Sequence, residues 1–340
     1  MKPTIKDIAR IAEVSPSTVS RALRDNPRIS EEVRRKVREI ATDLDFHPNQ
    51  MARSLVNRRT RIIGVMFPGL AHATMGHPFY PEVLRGLGKV AGERRYHMLL
   101  STGSENLSDV EAVRSLSESG YVSGLLLLAA QDTQEDAVSS SHSLPFVEIG
   151  HPKNADQRYY VDTDNVDAGR CVTQYLIDRG HRRILFLGQD NRYPVTVDRR
   201  EGYLRALAGA GLPVRERWIV PTRFIENTTD SELLASIFTA DERPTAVVSM
   251  DDNLSIALIG FLSGIGLSVP GDVSVISFNN SEAGRYAAPA LTTVDVDPYR
   301  LGEAAMGLII DMVRGDVAQP MHVIVPYRLI ERDSVRALEP

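Results

Sequence analysis

The sequence of 340 residues predicts a small all-α unit followed by a larger α/β core built from two doubly wound parallel-sheet halves. Apolar residues recur at helical spacing up to about residue 45, whereas from residue 61 onward strand-length apolar runs alternate with helical stretches. Runs such as GLLLLAA at 124–130 are apolar on both faces, which is typical of strands buried in a parallel sheet. About ten such runs are too many for one small sheet, so we expect two halves with a cleft between them.

The first two predicted helices lie within residues 4–23 and almost touch. Thr4 and Asp7 form a capping-box pattern that opens the first helix. Ser15 followed by Pro16 is an N-cap with proline at the first helical position, which opens the second. This spacing predicts two short helices joined by a tight turn at residues 13–14.

The second helix carries short hydroxyls and Arg21 on its exposed side, although serine and threonine are only moderate helix formers. Hydroxyls bond phosphates, and an arginine can bind a guanine edge with two hydrogen bonds. We interpret residues 4–23 as a helix-turn-helix with a recognition helix. A helical hairpin with a serine-rich solvent face is the alternative.

A third helix is predicted from Ser30, and a further short helix from Asn49. Glu31 and Glu32 occupy the first turn of the third helix, and Pro48 ends the run. A two-turn helix over 49–56 is not stable alone in water, so it needs a partner such as a DNA groove or a second copy of itself.

The charge is divided between the two parts of the chain. Residues 1–60 hold 13 Lys and Arg against 8 Asp and Glu, net +5, so with −5 for the whole chain the remainder carries −10. Basic charge thus concentrates where DNA would bind, although a solvated basic terminus would give the same count.

Cys171 is the only cysteine, which excludes an internal disulfide and a thiolate metal cluster, and we expect it to be a small core residue. No signal-like or membrane-length apolar run occurs, so we expect a cytoplasmic protein. Because none of the eight histidines has metal-ligand spacing, we also expect no metal, and no cofactor is expected.

The predicted core strands fall into two series. They are 62–68, 97–102, 124–130, 146–150 and 160–164, then 184–189, 218–221, 246–250, 273–278 and 292–296. The intervening helices are expected at 79–95, 108–119, 168–179, 197–210, 231–240 and 253–265.

Polar residues at strand ends, with nearby aromatic residues, indicate a sugar site. Ligands of such folds lie at the carboxyl ends of the strands, where planar polar groups bond hydroxyls and rings cover the C–H face of a sugar. The candidates from these stretches are Asp164, Asp251, Asp252, Asn279 and Asn280, with Arg199, Phe79, Tyr80 and Phe224. Any one of the strand-end residues is equally expected to cap the next helix, and Asp252 in particular is expected to cap a helix starting at Asn253.

TIKDIARIAEVSPSTVSRALRDNPRISEEVRRKV, followed by FHPNQMARSL, resembles the headpiece and hinge of LacI-type transcription factors. The resemblance implies base contacts from Pro16, Ser17 and Arg21, and a Leu55 wedge in a central base step next to Ala52. It implies phosphate contacts from Thr4, Ser15, Thr18, Ser20, Ser30 and Asn49. Pro16 replaces the polar residue often found there and can offer only apolar contact, for example to a thymine methyl.

The rest of the chain is similar to the effector domain of the same family, which is itself like periplasmic sugar-binding proteins. The segments HPFYPEVLRGL, VDTDNVDAGRCV, VDRREGYLRAL, SMDDNLSIALIGFLSGIGLSVPGDVSVISFNN and APALTTVDVDPYRLGEAA carry the similarity. It implies effector contacts from Tyr80, Thr163, Arg199, Phe224, Asp251 and Asn279, to which the strand-end pattern adds Phe79 and Asp164. The family more often has aspartate where Asn279 stands. The stretches HPFY, VEIGHP, VDRREGY and SMDDNLSIAL resemble maltose-operon repressors most.

The expected domains are a headpiece at 1–48, a hinge helix and linker at 49–60, and an effector-binding and dimerisation domain at 61–340. Within the last, the N-subdomain is expected at about 62–163 and 296–324, and the C-subdomain at about 164–295 and 325–337. Dimer contacts are expected from 82–95 and 253–265, and the lack of C-terminal leucine heptads favours a dimer over a tetramer.

The sequence therefore predicts a homodimeric repressor that binds a palindromic operator and responds to a small sugar, with maltose or a maltodextrin favoured. A corepressor-dependent regulator of the same family, responding to another metabolite such as a purine or to a phosphorylated partner protein, stays open, as does a sugar-binding module without regulatory DNA binding. An enzyme is disfavoured, because GIGLSVPG has Val269 where a dinucleotide fingerprint needs glycine, and no metal-ligand spacing, nucleophile elbow or P-loop occurs.

Overall fold

The computed structural model describes residues 3–46, 60–70, 76–103, 109–128, 144–152, 155, 158–188, 193–222, 228–317 and 321–338. The chain divides into two compact units, Met1–Thr60 and Arg61–Pro340. The predicted Asn49, Ala52 and Leu55 of the hinge and Phe224 of the effector site lie outside the described residues.

Three helices make up the described part of the first unit: α1 (Ile5–Ala12), α2 (Pro16–Ala22) and α3 (Glu31–Asp43). The capping box forms as predicted, since the Thr4 side chain accepts from the Asp7 backbone N–H while the Asp7 carboxylate accepts from the Thr4 backbone N–H. Glu13 ends α1 in the left-handed conformation at φ 61°, which turns the chain into α2. The three helices bury one apolar cluster, in which Ile8, Val19, Ala22 and Val37 are fully inaccessible.

The first half of the core is built on a six-stranded sheet with the order β11-β5-β4-β3-β1-β2. Its strands are β1 (Ile62–Leu70), β2 (His97–Gly103), β3 (Gly124–Leu128), β4 (Phe146–Ile149), β5 (Tyr160–Asp162) and β11 (His322–Ile324). The neighbouring strands are parallel throughout. The helices of this half are α4 (Phe79–Glu93), α5 (Asp109–Glu118) and α11 (Pro298–Arg314).

The second half repeats this plan with the order β12-β10-β9-β8-β6-β7. Its strands are β6 (Ile184–Gly188), β7 (Ile219–Pro221), β8 (Ala246–Ser249), β9 (Ser274–Phe278), β10 (Thr292–Asp295) and β12 (Arg328–Ile330), of which β12 is antiparallel to β10. Its helices are α6 (Asn165–Asp178), α7 (Pro194–Gly209), α8 (Thr228–Phe238), α9 (Asp252–Gly264) and α10 (Glu282–Tyr286). The two-sheet α/β fold class predicted from the sequence is confirmed.

All ten predicted strands are present, with ends that differ by one or two residues. β11 and β12 were not predicted because each has only three residues and no fully buried position. The predicted strand at 218–221 begins one residue late, since Trp218 closes a short 3-10 turn, Glu216–Trp218. Cys171 is half-buried rather than a core residue, which corrects its predicted environment.

Close glycine contacts fix one helix pair in each half. A Cβ built on Gly202 of α7 would lie 2.1 Å from the Val166 carbonyl oxygen of α6, and one on Gly169 of α6 would lie 2.3 Å from the Arg199 carbonyl oxygen. In the first half, a Cβ on Gly86 of α4 would lie 1.9 Å from the Tyr299 carbonyl oxygen of α11. Any side chain at these positions would force the backbones apart, so the glycines set the distance between the paired helices.

Candidate functional site

The exposed side of α2 carries the hydroxyls predicted to contact DNA. Ser15 caps the helix, and its Oγ accepts from the Thr18 backbone N–H at 3.1 Å. The same oxygen lies 2.7 Å from Ser17 Oγ and 2.9 Å from Thr18 Oγ1, so the three hydroxyls form one hydrogen-bonded group beside Pro16. Val19 and Ala22, on the opposite side of α2, are fully buried. The helix thus keeps its polar face available to a partner while its apolar face holds it to α1 and α3.

The other DNA-contact candidates of the headpiece are also exposed or half-buried. Arg21 is exposed, and Ser20 is held by Arg24, whose Nη2 donates to Ser20 Oγ at 3.0 Å and whose Nε donates to the Ser20 carbonyl at 2.9 Å. Thr4 caps α1, and Ser30 caps α3 by accepting from the Val33 backbone N–H at 3.4 Å. Both caps place a hydroxyl at a helix N-terminus, where backbone N–H groups also favour phosphate.

The second candidate site is a cavity of about 160 Å³ between the two halves of the core, at the carboxyl ends of their strands. It contains six of the predicted effector contacts, namely Phe79, Tyr80, Thr163, Arg199, Asp251 and Asn279. Further lining comes from His77, Glu148, Ile149, Gly150, His151, Pro152, Asp162, Asn165, Tyr193, Pro194, Val195, Met250, Val296 and Leu301. The cavity follows the rule that ligands of doubly wound sheets bind outside the carboxyl edge.

Arg199 lines this cavity and is 5% exposed. Its Nε donates to Asn165 Oδ1 at 2.9 Å, its Nη1 donates to the Met250 carbonyl at 2.7 Å, and the guanidinium lies 4.0 Å from the centre of the Phe278 ring. Burial lowers the pKa of Arg199 to about 10, against the opposing effect of the surrounding carboxylates, first that of Asp162. Within the described residues Nη2 has no hydrogen-bond partner, so it remains as a donor for a ligand.

The contact between α6 and α7 positions that arginine. Asn165 is the first residue of α6, and Arg199 lies in the second turn of α7. Because Gly169 and Gly202 let the two helices pack backbone to backbone, the side chains of Asn165 and Arg199 meet at hydrogen-bond distance.

The last residue of β5, Asp162, supplies a carboxylate that was not among the predicted site residues. Asp162 Oδ1 accepts from the Thr163 backbone N–H at 2.8 Å and from Asn165 Nδ2 at 3.0 Å. Burial raises the pKa of Asp162 to about 6. Asp164, which was selected, is exposed, caps α6 and does not line the cavity. The prediction is corrected here, because the side chain of Asp164 turns back to accept from the Asp167 backbone N–H at 2.8 Å.

Of the two aspartates after β8, only the expected capping residue differs from the prediction. Asp251, not Asp252, caps α9, with Oδ1 accepting from the Leu254 backbone N–H at 2.8 Å, and it also lines the cavity. Asp252 is the first helical residue and is 1% exposed. Its carboxylate accepts from Ser277 Oγ, from Thr293 Oγ1 and from the Ser281 backbone N–H, so it joins three segments of the second half.

Aromatic rings from the start of α4 form one side of the cavity. The Tyr80 ring centre lies 5.4 Å from that of Phe79, 5.8 Å from that of His77 and 6.0 Å from that of Phe67, each with the rings edge to face. Burial raises the pKa of the Tyr80 phenol, so it stays a neutral donor. Such a surface fits the C–H face of a sugar ring.

Asn279 follows β9 and has a φ of 96°, a conformation that asparagine tolerates better than most residues. Its backbone N–H donates to the Val294 carbonyl at 2.7 Å, which anchors the turn and leaves the side chain at the cavity. The neighbouring Asn280, also selected from the sequence, instead accepts from Arg332 Nη2 at 2.6 Å.

Sequence analysis missed His77, His151, Asp162, Asn165 and Tyr193, all of which line the cavity. His151 directly follows the glycine after β4, and Tyr193 caps α7, so both could have been found by inspecting every strand and helix end. Asp162 could not, because it still belongs to a buried strand.

The cavity offers a guanidinium donor, carboxylate acceptors and aromatic rings, a combination suited to binding a polyhydroxylated molecule. Within the described ranges no cluster of His, Cys, Asp or Glu has the geometry of a metal site. Among the same residues no helix is long and apolar enough to span a membrane.

Comparison with known proteins matches both units to families. Residues 4–49 match the model of bacterial regulatory proteins of the lacI family, and residues 173–335 match the periplasmic binding protein-like domain. The HTH-type transcriptional regulator MalR of Staphylococcus xylosus is 30% identical over 337 residues, which cover 99% of each chain.

Two solved structures superpose on nearly the whole of this chain. The transcriptional regulator CelR in complex with cellobiose superposes with a TM-score of 0.75 at 27% identity, covering 98% of this chain and 99% of that one. The lac repressor dimer bound to operator and the anti-inducer ONPF has a TM-score of 0.82 at 21% identity, covering 99% of this chain and 100% of that one, which supports the fold. The chain therefore belongs to the lacI family and is a DNA-binding transcriptional repressor whose core has the sugar-binding, periplasmic-binding-protein-like fold.

Proposed function

We propose that the protein is a homodimeric repressor whose operator affinity is controlled by a small sugar, maltose or a maltodextrin, bound in the core cavity. The observation that carries this proposal is the buried Arg199, held by Asn165 and the Met250 carbonyl, with one guanidinium nitrogen left for a ligand in a cavity that the rings of Phe79 and Tyr80 also line. Arginine and carboxylate groups bond sugar hydroxyls, and the rings of Phe79 and Tyr80 cover apolar faces.

Maltose is favoured over other sugars by the segments that resemble maltose-operon repressors, and the similarity to MalR supports the same choice. The CelR structure shows that a regulator of similar fold binds a different disaccharide, cellobiose. A panel of disaccharides is therefore the proper test, rather than maltose alone.

For DNA recognition we propose that the α2 helices of two protomers enter successive major grooves of a palindrome. Arg21 would bind a guanine edge, with Pro16 and Ser17 also facing bases, and the hydroxyls of Ser15 and Thr18 would contact phosphates. Thr4, Ser20, Ser30 and Asn49 would add phosphate contacts. Leu55, next to Ala52 in the predicted hinge, would enter a central base step from the minor groove, where the unstacking cost of a few kcal/mol is offset by contacts that the bend brings in.

The effector would act by closing the cavity and shifting one half of the core against the other. The shift would separate the two hinge segments and lower operator affinity without any change on α2. By thermodynamic linkage the operator would then weaken effector binding by the same factor.

The experiment is a fluorescence-anisotropy titration of the full chain against a palindrome selected from a random-sequence DNA pool, with and without maltose, maltotriose and cellobiose. We expect maltose or maltotriose to release the DNA. Tighter DNA binding on addition of a metabolite would instead indicate a corepressor-dependent regulator, and sugar binding without any palindrome selected would indicate a sugar-binding module.

Three variants separate the two sites. Arg21→Ala should weaken operator binding by about 1–3 kcal/mol and leave sugar affinity unchanged, whereas Arg35→Ala, an exposed arginine of α3 paired with Glu39 at 3.9 Å, should have a much smaller effect. Leu55→Ala should reduce specific binding and spare sugar affinity. Arg199→Ala should abolish the sugar response while the operator remains bound. Equal loss of both activities in any of these variants would contradict the assignment.

A further inference from the structure

Two histidine–aspartate contacts join the halves of the core on either side of the cavity. His77 precedes α4 in the first half, and its Nε2 lies 3.7 Å from Oδ2 of Asp251, which caps α9 in the second half. His151 follows β4 in the first half, and its Nδ1 lies 3.6 Å from Oδ2 of Asp198 on α7 in the second half. Both distances exceed those of strong charge-assisted hydrogen bonds, about 2.7–2.9 Å, so a relative movement of under about 1 Å would complete them.

The two ring nitrogens of His77 face different partners. Its Nδ1 accepts from the Phe79 backbone N–H at 3.3 Å, which requires a lone pair on that nitrogen. Nε2 is therefore the ring nitrogen that faces Asp251. Apart from Asp251, the rings of Phe79 and Tyr80 face this imidazole among the described residues.

His151 has the opposite environment. Besides Asp198 from α7, the carboxylates of Asp162 at the end of β5 and Asp164 at the start of α6 act on it. The Tyr160 ring lies edge to face with it at 5.5 Å, and His322 stacks on that tyrosine at 5.2 Å. The nearby Asp198 carboxylate and, after it, the charges of Asp162 and Asp164 raise the pKa of His151 above its usual 6.5, against the effect of partial burial.

We propose that His151 and Asp198 form a proton-dependent contact that closes the core over the effector, and that His77 and Asp251 form a second contact between the same two halves. This inference rests on the proposed function, because it describes the regulation of the same cavity. Effector binding then takes up a proton at His151 whenever the free protein leaves that ring neutral.

The sign of the pH dependence follows from linkage. Closure shortens the contact with Asp198 and so raises the pKa of His151 further in the effector complex than in the free protein. The added affinity is complete below the free-state pKa and is lost as the pH rises through the bound-state pKa. Because one pKa unit corresponds to a tenfold change in equilibrium constant, we expect affinity about three- to tenfold tighter at pH 5.5 than at pH 8.0.

The experiment is isothermal titration calorimetry of maltotriose into the full chain at pH 5.5, 6.5 and 8.0, in buffers of different ionisation enthalpy, which gives both affinity and protons taken up. His151→Gln and Asp198→Asn should each remove the proton uptake near pH 7 and the change in affinity between pH 6.5 and 8.0, whereas Asp162, whose pKa is raised to about 6 in the same cavity, still titrates at lower pH. His77→Gln should weaken binding at all three pH values. His97→Gln, an exposed histidine at the start of β2 and outside the cavity lining, should match the unaltered protein.

Affinity that is the same at pH 6.5 and 8.0, or a difference between these two pH values that survives in both His151→Gln and Asp198→Asn, would overturn this inference and leave the proposed sugar response intact. If no saccharide binds at any pH, the proposed function fails instead. The contact is then tested by NMR titration of the histidine rings in the free chain, where an unchanged pKa of His151 in Asp198→Asn overturns the pairing and a lowered one supports it.

Discussion

Replacing Gly202 by alanine tests how the cavity is built. The new Cβ would lie 2.1 Å from the Val166 carbonyl oxygen and 2.5 Å from the Arg170 backbone nitrogen, whereas ordinary contact begins at 3.4 Å. Helices α6 and α7 would have to separate by about 1.3 Å, and since both obstructing atoms are backbone, no rotamer change can relieve the clash. Overpacking of this kind destabilises by about 1–3 kcal/mol, occasionally more, and the better helix propensity of alanine offsets about 1 kcal/mol. Because the clash is with backbone atoms, the upper end of that range applies, and we expect a net loss of about 2 kcal/mol.

The same separation should reach the effector site. A shift of that size would break the 2.9 Å bond from Arg199 Nε to Asn165 Oδ1, and hydrogen bonds to charged groups contribute about 1.5–3 kcal/mol. Sugar affinity should therefore fall about tenfold or more.

Urea unfolding followed by Trp218 fluorescence measures the first effect, because this only tryptophan of the chain is 3% exposed within the second half. Calorimetry measures the second. Gly209→Ala is the matched control, since it changes the last residue of the same helix, where an added Cβ meets no described atom within 4 Å. A Gly202→Ala protein as stable as Gly209→Ala, with unchanged sugar affinity, would refute the reasoning.

Three further outcomes are expected. Asp162→Asn should stabilise the protein at pH 7.5 by up to about 3 kcal/mol and have little effect at pH 4. Burial raises the pKa of Asp162 from 3.8 to about 6, so the destabilisation from its buried charge is absent below the unfolded-state pKa and complete above the folded-state pKa. Urea unfolding at both pH values checks this, and an equal effect at each would contradict it. Asp252→Ala should cost about 3 kcal/mol or more, since it leaves three buried donors without their acceptor, and a melting temperature within 2 °C or so of the parent would count against that account. Thr4→Ala should lower headpiece stability by about 1 kcal/mol through loss of the cap, seen in thermal melts of residues 1–60, while Lys6→Ala on the exposed face of α1 should not.

Periodicity and capping patterns predicted the helices and the long strands because those elements bury apolar residues at a fixed spacing. The same reasoning could not predict β11 and β12, which are held only by pairing with β5 and β10, far away in sequence.

Within the cavity, the sequence pattern identified Arg199, Asp251 and Asn279, which directly follow strands or lie on a motif. It misassigned Asp164 because a carboxylate after a strand can cap a helix or face a ligand, and only the geometry of the turn decides between them. The histidines were missed because each acquires its partner from the opposite half of the core, a relation that no local pattern contains.

β11 and β12 come late in the chain, which affects the order in which the parts of a newly made chain can fold. The headpiece has its own buried core once residue 43 has left the ribosome, whereas the two sheets gain their last strands only when residues 322–330 have been translated. At about 5–20 residues per second, that interval of roughly 280 residues is on the order of tens of seconds. The three-helix unit can therefore fold well before the two sheets of the core are complete, and, under the proposed function, a nascent chain passes through a stage that has the DNA-contacting helices but an incomplete effector domain.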